Sequence, residues 1–198
     1  MLGFLFYKKI LYFELYTNIL LYYISYCPNM KNFDPILFSF FQQHNLSYEY
    51  FEHPPIFTVE EWEALKHSLP GKQTKNLFLT DKRGQYRLVC IESSKRLAIN
   101  QFRKLVGAKD MTFATAEEMK DVLHLTPWSV SIFWLIHKPE NLHLYLDNDL
   151  RKSDLVWRHP NRNDATIVIS HEMLVKFLDV LNISVNILEI WQELKIVQ

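Results

Sequence analysis

A lysine and a carboxamide directly precede one of the most apolar runs of the chain. Lys75 and Asn76 stand before Leu77-Phe78-Leu79 in the segment GKQTKNLFLTDKRGQYRLV, residues 71–89. A strand that enters a core usually begins with a turn residue, so this lysine either extends its ammonium group to water or binds an anion. The amide of Asn76 could hydrogen-bond the backbone of an adjoining loop or a substrate. Both residues are therefore candidate site residues.

The composition argues against several other kinds of site. Cys27 and Cys90 form no metal or disulfide framework, which favours a reducing compartment. Four glycines are too few for a Walker loop or a dinucleotide fingerprint. His171-Glu172 opens a helix, but position 175 is Val, so the two-histidine zinc spacing is absent. We therefore expect no metal, no cofactor and no covalent nucleophile.

The elements that position Lys75 are predicted to be those of a mixed α/β protein. Asp34-Pro35 indicates the start of a helix that ends near Asn45, and LSYEYFEH alternates like a strand. Two Thr-x-x-Glu capping boxes, at Thr58 and Thr115, indicate two further helix starts. The other predicted elements are a hairpin of Asn76–Thr80 and Gln85–Ile91 turning at Gly84, a helix closed by Gly107, strands at Val130–Ile136, Leu142–Asp147 and Ala165–Ile169, a helix capped by Ser170, and a strand at Val185–Ile190.

Irregular interspersion of helices and strands favours a compact single domain with a mixed sheet flanked by helices. We place this domain at 30–191, with a tail at 192–198. Residues 1–29 are aromatic-rich but contain no uninterrupted apolar run of about 18 residues. Met30 opens a segment typical of a cytoplasmic protein, so we interpret 1–29 as a start-site artefact or an appendage. A membrane-associating segment is the alternative, although we expect no stable membrane association.

The balanced net charge hides a local excess of positive charge. The chain has 22 Lys and Arg against 22 Asp and Glu, yet residues 66–109 contain eleven Lys or Arg against Asp81 and Glu92. A solvated surface would explain such a run. A segregated basic face is also typical of a protein that binds a phosphate backbone. The sequence therefore predicts short-range capture of one nucleic-acid end.

Four segments resemble the prolyl-tRNA editing family: EHPPIFTVEE, TKNLFLTDKRGQYRLV, SVSIFWLI and HPNRNDATIVIS. Their order and spacing match from about Met30 to Ile190. The family comprises free-standing proteins of the YbaK type and a related domain inserted in bacterial prolyl-tRNA synthetases. The fit is closest to the free-standing proteins that remove alanine wrongly attached to the proline tRNA.

The resemblance implies a YbaK-like fold with a curved mixed sheet and a pocket for the acceptor end of aminoacyl-tRNA. Family members hydrolyse the ester without a metal and without a covalent intermediate. The family lysine falls on Lys75, the next residue on Asn76 and the histidine of the HP pair on His159. Lys75 would orient the ribose-phosphate end, and prolyl-tRNA synthetase is a further candidate partner. His159 could equally be a satisfied histidine before Pro160, and the oligomeric state stays open.

One loop departs from the family pattern. Where the family typically has PGSVTPF, this chain has PWSVSIF, so Trp128 replaces a glycine and Ile132 a proline. Trp128, Ser129, Val130 and Ser131 are nevertheless the predicted ester-binding wall. Trp128 could stack on the terminal adenine or be a core or rim residue. The altered loop leaves two readings: a deacylase, or a catalytically silent module that binds a tRNA end or an aminoacyl ligand.

Overall fold

The computed structural model describes residues 34–65, 69–190 and 194–197, so the predicted extension 1–29 lies outside the described residues. Within 35–198 the described residues belong to one compact unit. Its helices are α1 (Pro35–Gln43), α2 (Val59–Ala64), α3 (Ile99–Leu105), α4 (Ala116–Leu123), α5 (Asn148–Arg151) and α6 (His171–Leu181), with 3-10 helices at Pro127–Ser129 and Ile132–His137. Each of the described helices is too short or too polar to cross a bilayer.

Nine strands within the described residues form two sheets, which confirms the predicted mixed α/β class. The strands are β1 (Glu49–Glu52), β2 (Thr74–Thr80), β3 (Tyr86–Glu92), β4 (Thr112–Phe113), β5 (Leu142–Asp147), β6 (Leu155–Arg158), β7 (Ala165–Ser170), β8 (Val185–Ile190) and β9 (Leu194–Val197). One sheet has the order β1-β7-β6 and is antiparallel. The other has the order β4-β2-β3-β5-β8-β9, with parallel pairs β3–β5 and β5–β8.

A short parallel bridge joins the two sheets beside β2. The Lys72 amide donates to the Leu155 carbonyl at 2.9 Å, and the Trp157 amide donates to the Lys72 carbonyl at 2.9 Å. The Thr74 hydroxyl then donates to the Trp157 carbonyl at 2.5 Å. The start of β2 is therefore fixed against β6, which places residues 75 and 76 near the end of that strand.

Apolar side chains fill both faces of the six-stranded sheet. Leu79, Val89 and Ile91 pack with Phe102 of α3 on one face. Elsewhere in the core, Phe133 packs edge-to-face with Phe41 at 5.2 Å and with Phe177 at 5.3 Å between ring centroids. These ring contacts hold the 3-10 segment that contains Phe133 against helices α1 and α6.

Local sequence signals predicted several boundaries correctly. At both Thr58 and Thr115 the threonine hydroxyl accepts the amide of the glutamate three residues on, and that glutamate accepts the threonine amide. Ser170 accepts the Met173 amide at the start of α6. Gly84 and Gly107 have φ of +71° and +67°, as a hairpin turn and a helix end favour. These elements need few distant contacts to be specified.

The predicted strand at Val130–Ile136 is wrong. Residues Pro127–Ser129 and Ile132–His137 are 3-10 helices instead, and Ser131 caps the second by accepting the Phe133 amide at 3.2 Å. Proline at the first helical position and a serine cap favour these turns. An apolar run of this length does not distinguish a buried strand from a buried helical turn. Strands β4 and β6 were not predicted, and β9 lies within the predicted tail 192–198.

Candidate active site

Lys75 is held at the start of β2 by a backbone acceptor. Its Nζ donates to the Ser93 carbonyl at 2.8 Å, and the side chain is half-buried. Burial lowers the pKa of Lys75, and the nearby Arg96 charge lowers it further. An ammonium group has three donors, so two remain for other acceptors. Lys75 is therefore a fixed cation that can still bind an anion.

The segment that carries the Ser93 carbonyl is itself anchored by an ion triad. Lys95 Nζ lies 2.8 Å from Asp147 Oδ1 and 2.7 Å from Asp149 Oδ2. Asp147 Oδ2 also accepts the Glu92 amide at 3.2 Å. These bonds fix the residues after β3 to the end of β5 and to α5. The Ser93 carbonyl, which accepts the hydrogen bond from Lys75, therefore belongs to a turn that several ion pairs and hydrogen bonds hold in place.

Asn76 contacts the loop that the sequence assigned to the ester-binding wall. Its Nδ2 donates to the Val130 carbonyl at 2.9 Å, whereas its Oδ1 is buried without a hydrogen-bond partner among the described residues. Adjacent residues of a strand point to opposite faces of the sheet, which agrees with the separate partners of Lys75 and Asn76. The structure thus brings Asn76, and not Lys75, into contact with this loop.

The wall itself, residues 127–132, is a compact turn with one exposed aromatic ring. Ser129, Val130 and Ser131 are buried, and the Ser129 hydroxyl lies 2.8 Å from the Thr126 hydroxyl. Trp128 is 39% exposed, so it lies at the surface and does not fill the core. It has no positive φ, unlike six other described non-glycine residues. The backbone here therefore accepts a tryptophan without left-handed strain.

His159 directly follows β6. Its Nδ1 donates to the Ala165 carbonyl at 3.3 Å, and its ring lies 4.6 Å from the Trp62 ring between centroids. Burial lowers the pKa of His159 to about 4. The imidazole is consequently neutral at pH 7. It can line a pocket or bind a hydroxyl, but it supplies no positive charge for a phosphate.

Arg158 is a residue of this region that the sequence reasoning missed. It is 1% exposed, and its Nε, Nη1 and Nη2 have no hydrogen-bond partner within the described parts of the chain. Burial lowers the pKa of this guanidinium. The available signal was an arginine inside the otherwise apolar stretch LVWR, where a strand would carry its side chain into the core.

The predicted basic run is less positive in the structure than in the sequence. Four of its described members make ion pairs: Lys72 with Glu92, Lys82 with Asp110, Arg87 with Asp81, and Lys95 with two aspartates. Arg87 and Asp81 are both buried. Lys75 and exposed Arg96 stay close enough for their charges to interact. Lys75 and Arg96 therefore form one pair of neighbouring cations near the start of β2, while Arg83, Lys104 and Lys109 are exposed elsewhere.

A surface cleft lies beside Gly71 and α5. The cleft has a volume of about 450 Å³ and is lined by Gly71, Lys72, Asp149, Lys152, Ser153, Asp154 and Leu155, so none of the predicted site residues lines it. Within residues 34–65, 69–190 and 194–197, no three His, Cys, Asp or Glu side chains form a group that could hold a metal.

Comparison with known proteins gives one consistent family. The aminoacyl-tRNA editing domain matches residues 53–177. The prolyl-tRNA editing protein ProX of Acetoanaerobium sticklandii is 30% identical over 135 residues, 67% of this chain and 82% of ProX. Prolyl-tRNA synthetase associated domain-containing protein 1 of Danio rerio is 31% identical over 143 residues, 71% of this chain and 78% of that protein.

A solved structure shows the same fold. The crystal structure of hypothetical protein APE2540 matches with a TM-score of 0.61 at 24% identity, over 76% of this chain and 96% of that one. The family domain spans more than half of the chain, and its matched region contains the start of β2, the wall and the β6–β7 corner. The chain therefore belongs to the aminoacyl-tRNA editing domain family, among the prolyl-tRNA editing proteins.

Proposed function

We propose that the protein is a trans-acting hydrolase that removes a wrongly attached amino acid, alanine or another small residue, from the proline tRNA. One observation carries the proposal. The side chains of Lys75 and Asn76 leave the start of β2 in opposite directions, one as a braced cation and the other bonded to the Val130 carbonyl. The proposed phosphate-binding group and the proposed ester-binding wall would thereby be connected to the same short piece of backbone.

The chemistry needs little beyond positioning. An aminoacyl ester is already activated, so water can attack it once the ester is held and the developing oxyanion is stabilised. Orientation contributes several kcal/mol, and one good oxyanion donor about 3 kcal/mol. Lys75 would hold the terminal ribose-phosphate without being consumed. Residues 127–132 would hold the acyl group.

Specificity for a small amino acid would come from exclusion. Val130, Ile132 and Trp134, which is nearby in sequence, are all buried, so the wall has little space to expand. A pocket that fits a methyl group rejects the larger proline ring by clash, which attraction alone does not achieve so sharply. Correctly charged prolyl-tRNA would therefore escape hydrolysis.

The partners of the protein follow from the proposed reaction. The substrate is the acceptor end of an aminoacyl-tRNA, and two similar proteins carry prolyl-tRNA in their names. Prolyl-tRNA synthetase is a candidate for delivering that substrate. Such work would take place in the cytoplasm.

A binding module without hydrolysis is the second candidate, and the altered wall favours it. Trp128 and Ile132 stand where the family resemblance leads us to expect a glycine and a proline. If amides of this wall hold the carbonyl, the 3-10 turn at Pro127–Ser129 sets their directions. A turn that aims them away from the ester would leave affinity for the acyl end and little catalysis.

A panel of aminoacyl-tRNAs incubated with the full chain tests the proposal. We expect release of alanine from the proline tRNA and no release of proline. Lys75→Ala should slow alanine release by at least about 100-fold, because a misplaced substrate loses that much rate.

Lys104→Ala is the matched control, since Lys104 is an exposed lysine of α3 and should leave the rate unchanged. Binding of the tRNAs without release of any amino acid would establish the binding module instead. Equal loss of rate in both lysine variants would remove Lys75 from the site.

A further inference from the structure

The guanidinium of Arg158 is the most costly unexplained group in the described structure. It ends β6, pairs with Ile167 of β7 in the backbone register, and is 1% exposed. None of its three nitrogens has a hydrogen-bond partner among the residues described. A buried charge normally has an opposite charge and several hydrogen bonds beside it, because desolvation alone strongly disfavours it.

The ionisable neighbour of Arg158 does not neutralise it. The Cys90 thiol is close enough for the two groups to interact electrostatically. Burial raises the pKa of Cys90 to about 11, even though the arginine charge opposes that rise. The thiol is therefore uncharged at pH 7. The positive charge of Arg158 needs another partner.

A second buried group without a hydrogen-bond partner lies beside Cys90. Asn76 of β2 is the direct cross-strand partner of Cys90 on β3, and side chains of directly opposed residues share one face. Asn76 Oδ1 is buried and unpartnered in the described structure, while its Nδ2 holds the Val130 carbonyl. Donors without acceptors and an acceptor without a donor are thus gathered around Cys90, behind the 127–132 wall.

We propose that Arg158 binds the carbonyl oxygen of the aminoacyl ester and stabilises the oxyanion that forms on it. Asn76 Oδ1 would accept the α-ammonium group of the same aminoacyl residue. The inference rests on the proposed deacylase function and adds a substrate-contacting residue to it. Arg158 and Asn76 Oδ1 are both buried, so the 127–132 wall would have to move aside before the ester reached them.

The charge of Arg158 suits this step because it is unmatched until the transition state. Water adds to the ester carbon, and the carbonyl π electrons move onto the oxygen beside Arg158. Collapse of this intermediate reforms the carbonyl and breaks the bond to the ribose oxygen, which leaves with a proton from the attacking water. The remaining acid proton goes to solvent. A cation that meets full negative charge only in the intermediate raises kcat more than it lowers KM.

Arg158→Met separates this role from a structural one. Methionine has a similar length and no charge, so it should remove the uncompensated charge and raise the urea midpoint of unfolding. The same variant should lower the kcat for alanine release by about 100-fold to 1,000-fold with little change in KM, as loss of an oxyanion donor does. Arg158→Lys keeps a donor and should restore part of kcat. A methionine variant that is less stable, or equally active, overturns the proposal.

A binding measurement decides the case even if the wild-type protein releases no amino acid. Free L-alanine carries the ammonium and carboxylate groups that Asn76 Oδ1 and Arg158 would bind. Wild-type melting temperature should rise in millimolar L-alanine, and that of Arg158→Met should not. With no deacylation but this difference present, the deacylase proposal fails and the Arg158 site stands as a binding site, without its oxyanion role. No alanine-dependent shift in the wild type rejects the site itself.

Discussion

At the start of β2 two neighbouring side chains have opposite surroundings. Lys75 donates to the carbonyl of Ser93, and Asn76 donates to that of Val130. Successive side chains of a strand point to opposite faces of the sheet, which explains why the two residues have different partners. The apolar run that follows them keeps the strand in register. The directions of the Lys75 and Asn76 side chains are therefore set by β2, and their positions are held by two separate turns, those of Ser93 and Val130.

The neutral state of His159 leads to a pH prediction. Its pKa is lowered from 6.5 to about 4 because the ring is buried, so the unfolded chain binds a proton that the folded chain does not. This residue stabilises the fold fully above pH 6.5, and its contribution is lost as pH falls towards 4. We expect the free energy of unfolding of the wild type to fall more steeply across this range than that of His159→Gln.

Proton NMR measures the same property directly. The signal that disappears in His159→Gln should titrate in the folded wild type with an apparent pKa near 4. A titration near 6.5 would mean that the ring is solvated and could be cationic at neutral pH. In that event, His159 could contact a phosphate instead of lining a pocket as a neutral side chain.

The candidate residues differ in how far the sequence could reveal them. Lys75 and Asn76 were identifiable because two polar residues before an apolar strand are locally unusual. Arg158 carried only the weak signal of one arginine in the apolar stretch LVWR, and its burial near Cys90 without a described hydrogen-bond partner is a property of tertiary packing. His159 was found by resemblance, and its neutral state follows from contacts with Trp62 and Ala165 that no local pattern encodes.

Gly71 makes the junction between β6 and β2 possible, and it gives a prediction about that junction. Its φ is +91°, and a Cβ atom there would lie 2.7 Å from both the Cβ and the carbonyl oxygen of Leu155. Gly71→Ala should therefore lower the free energy of unfolding by about 2–4 kcal/mol, combining left-handed strain with overpacking. Urea unfolding measures the loss.

Gly84→Ala is the matched control for that loss. Gly84 has φ of +71°, but a Cβ there would meet nothing within 4 Å. This variant should lose only about 1 kcal/mol through left-handed strain. Similar losses for both alanine variants would show that the backbone of Leu155 can move away. The parallel bridge at Lys72 would then be a weaker restraint on β2 than its hydrogen bonds indicate.

The elements divide by whether their signals are local. Both capping boxes, the Ser170 cap and the Gly84 turn were predicted because each depends on residues within four positions. β6 was missed because it is only four residues long and because one of its partners, Lys72, lies more than 80 positions away in sequence. The Val130–Ile136 run was assigned to the wrong element because burial on all sides removes the polar alternation that identifies a strand.

At the scale of the whole molecule, ion pairs decide which side chains of the basic run remain available to a partner. The net charge is zero, and ion pairs neutralise four described members of the basic run. Arg87 and Asp81 are both buried, so their ion pair stabilises the β2–β3 hairpin and is not available to a binding partner. Lys75 and Arg96 remain as neighbouring cations at the end of β2 that approaches β6. Lys82 and Arg83 are exposed at the opposite end, so the hairpin carries positive charge at both ends, and only one of them lies beside Lys75.

The proposed role of Lys75 in binding the tRNA end predicts which arginine affects tRNA binding. Arg96 and Arg83 are both exposed, but Arg83 lies in the turn at the opposite end of the β2–β3 hairpin. Each phosphate contact to a single strand contributes about 0.7 to the slope of log K against log salt concentration. Arg96→Ala should reduce that slope for deacylated proline tRNA by about this amount, measured by fluorescence anisotropy, and Arg83→Ala should leave it unchanged. Equal reductions would mean that the tRNA lies along the whole hairpin, so Lys75 would be one contact among many rather than the group that fixes the terminal phosphate.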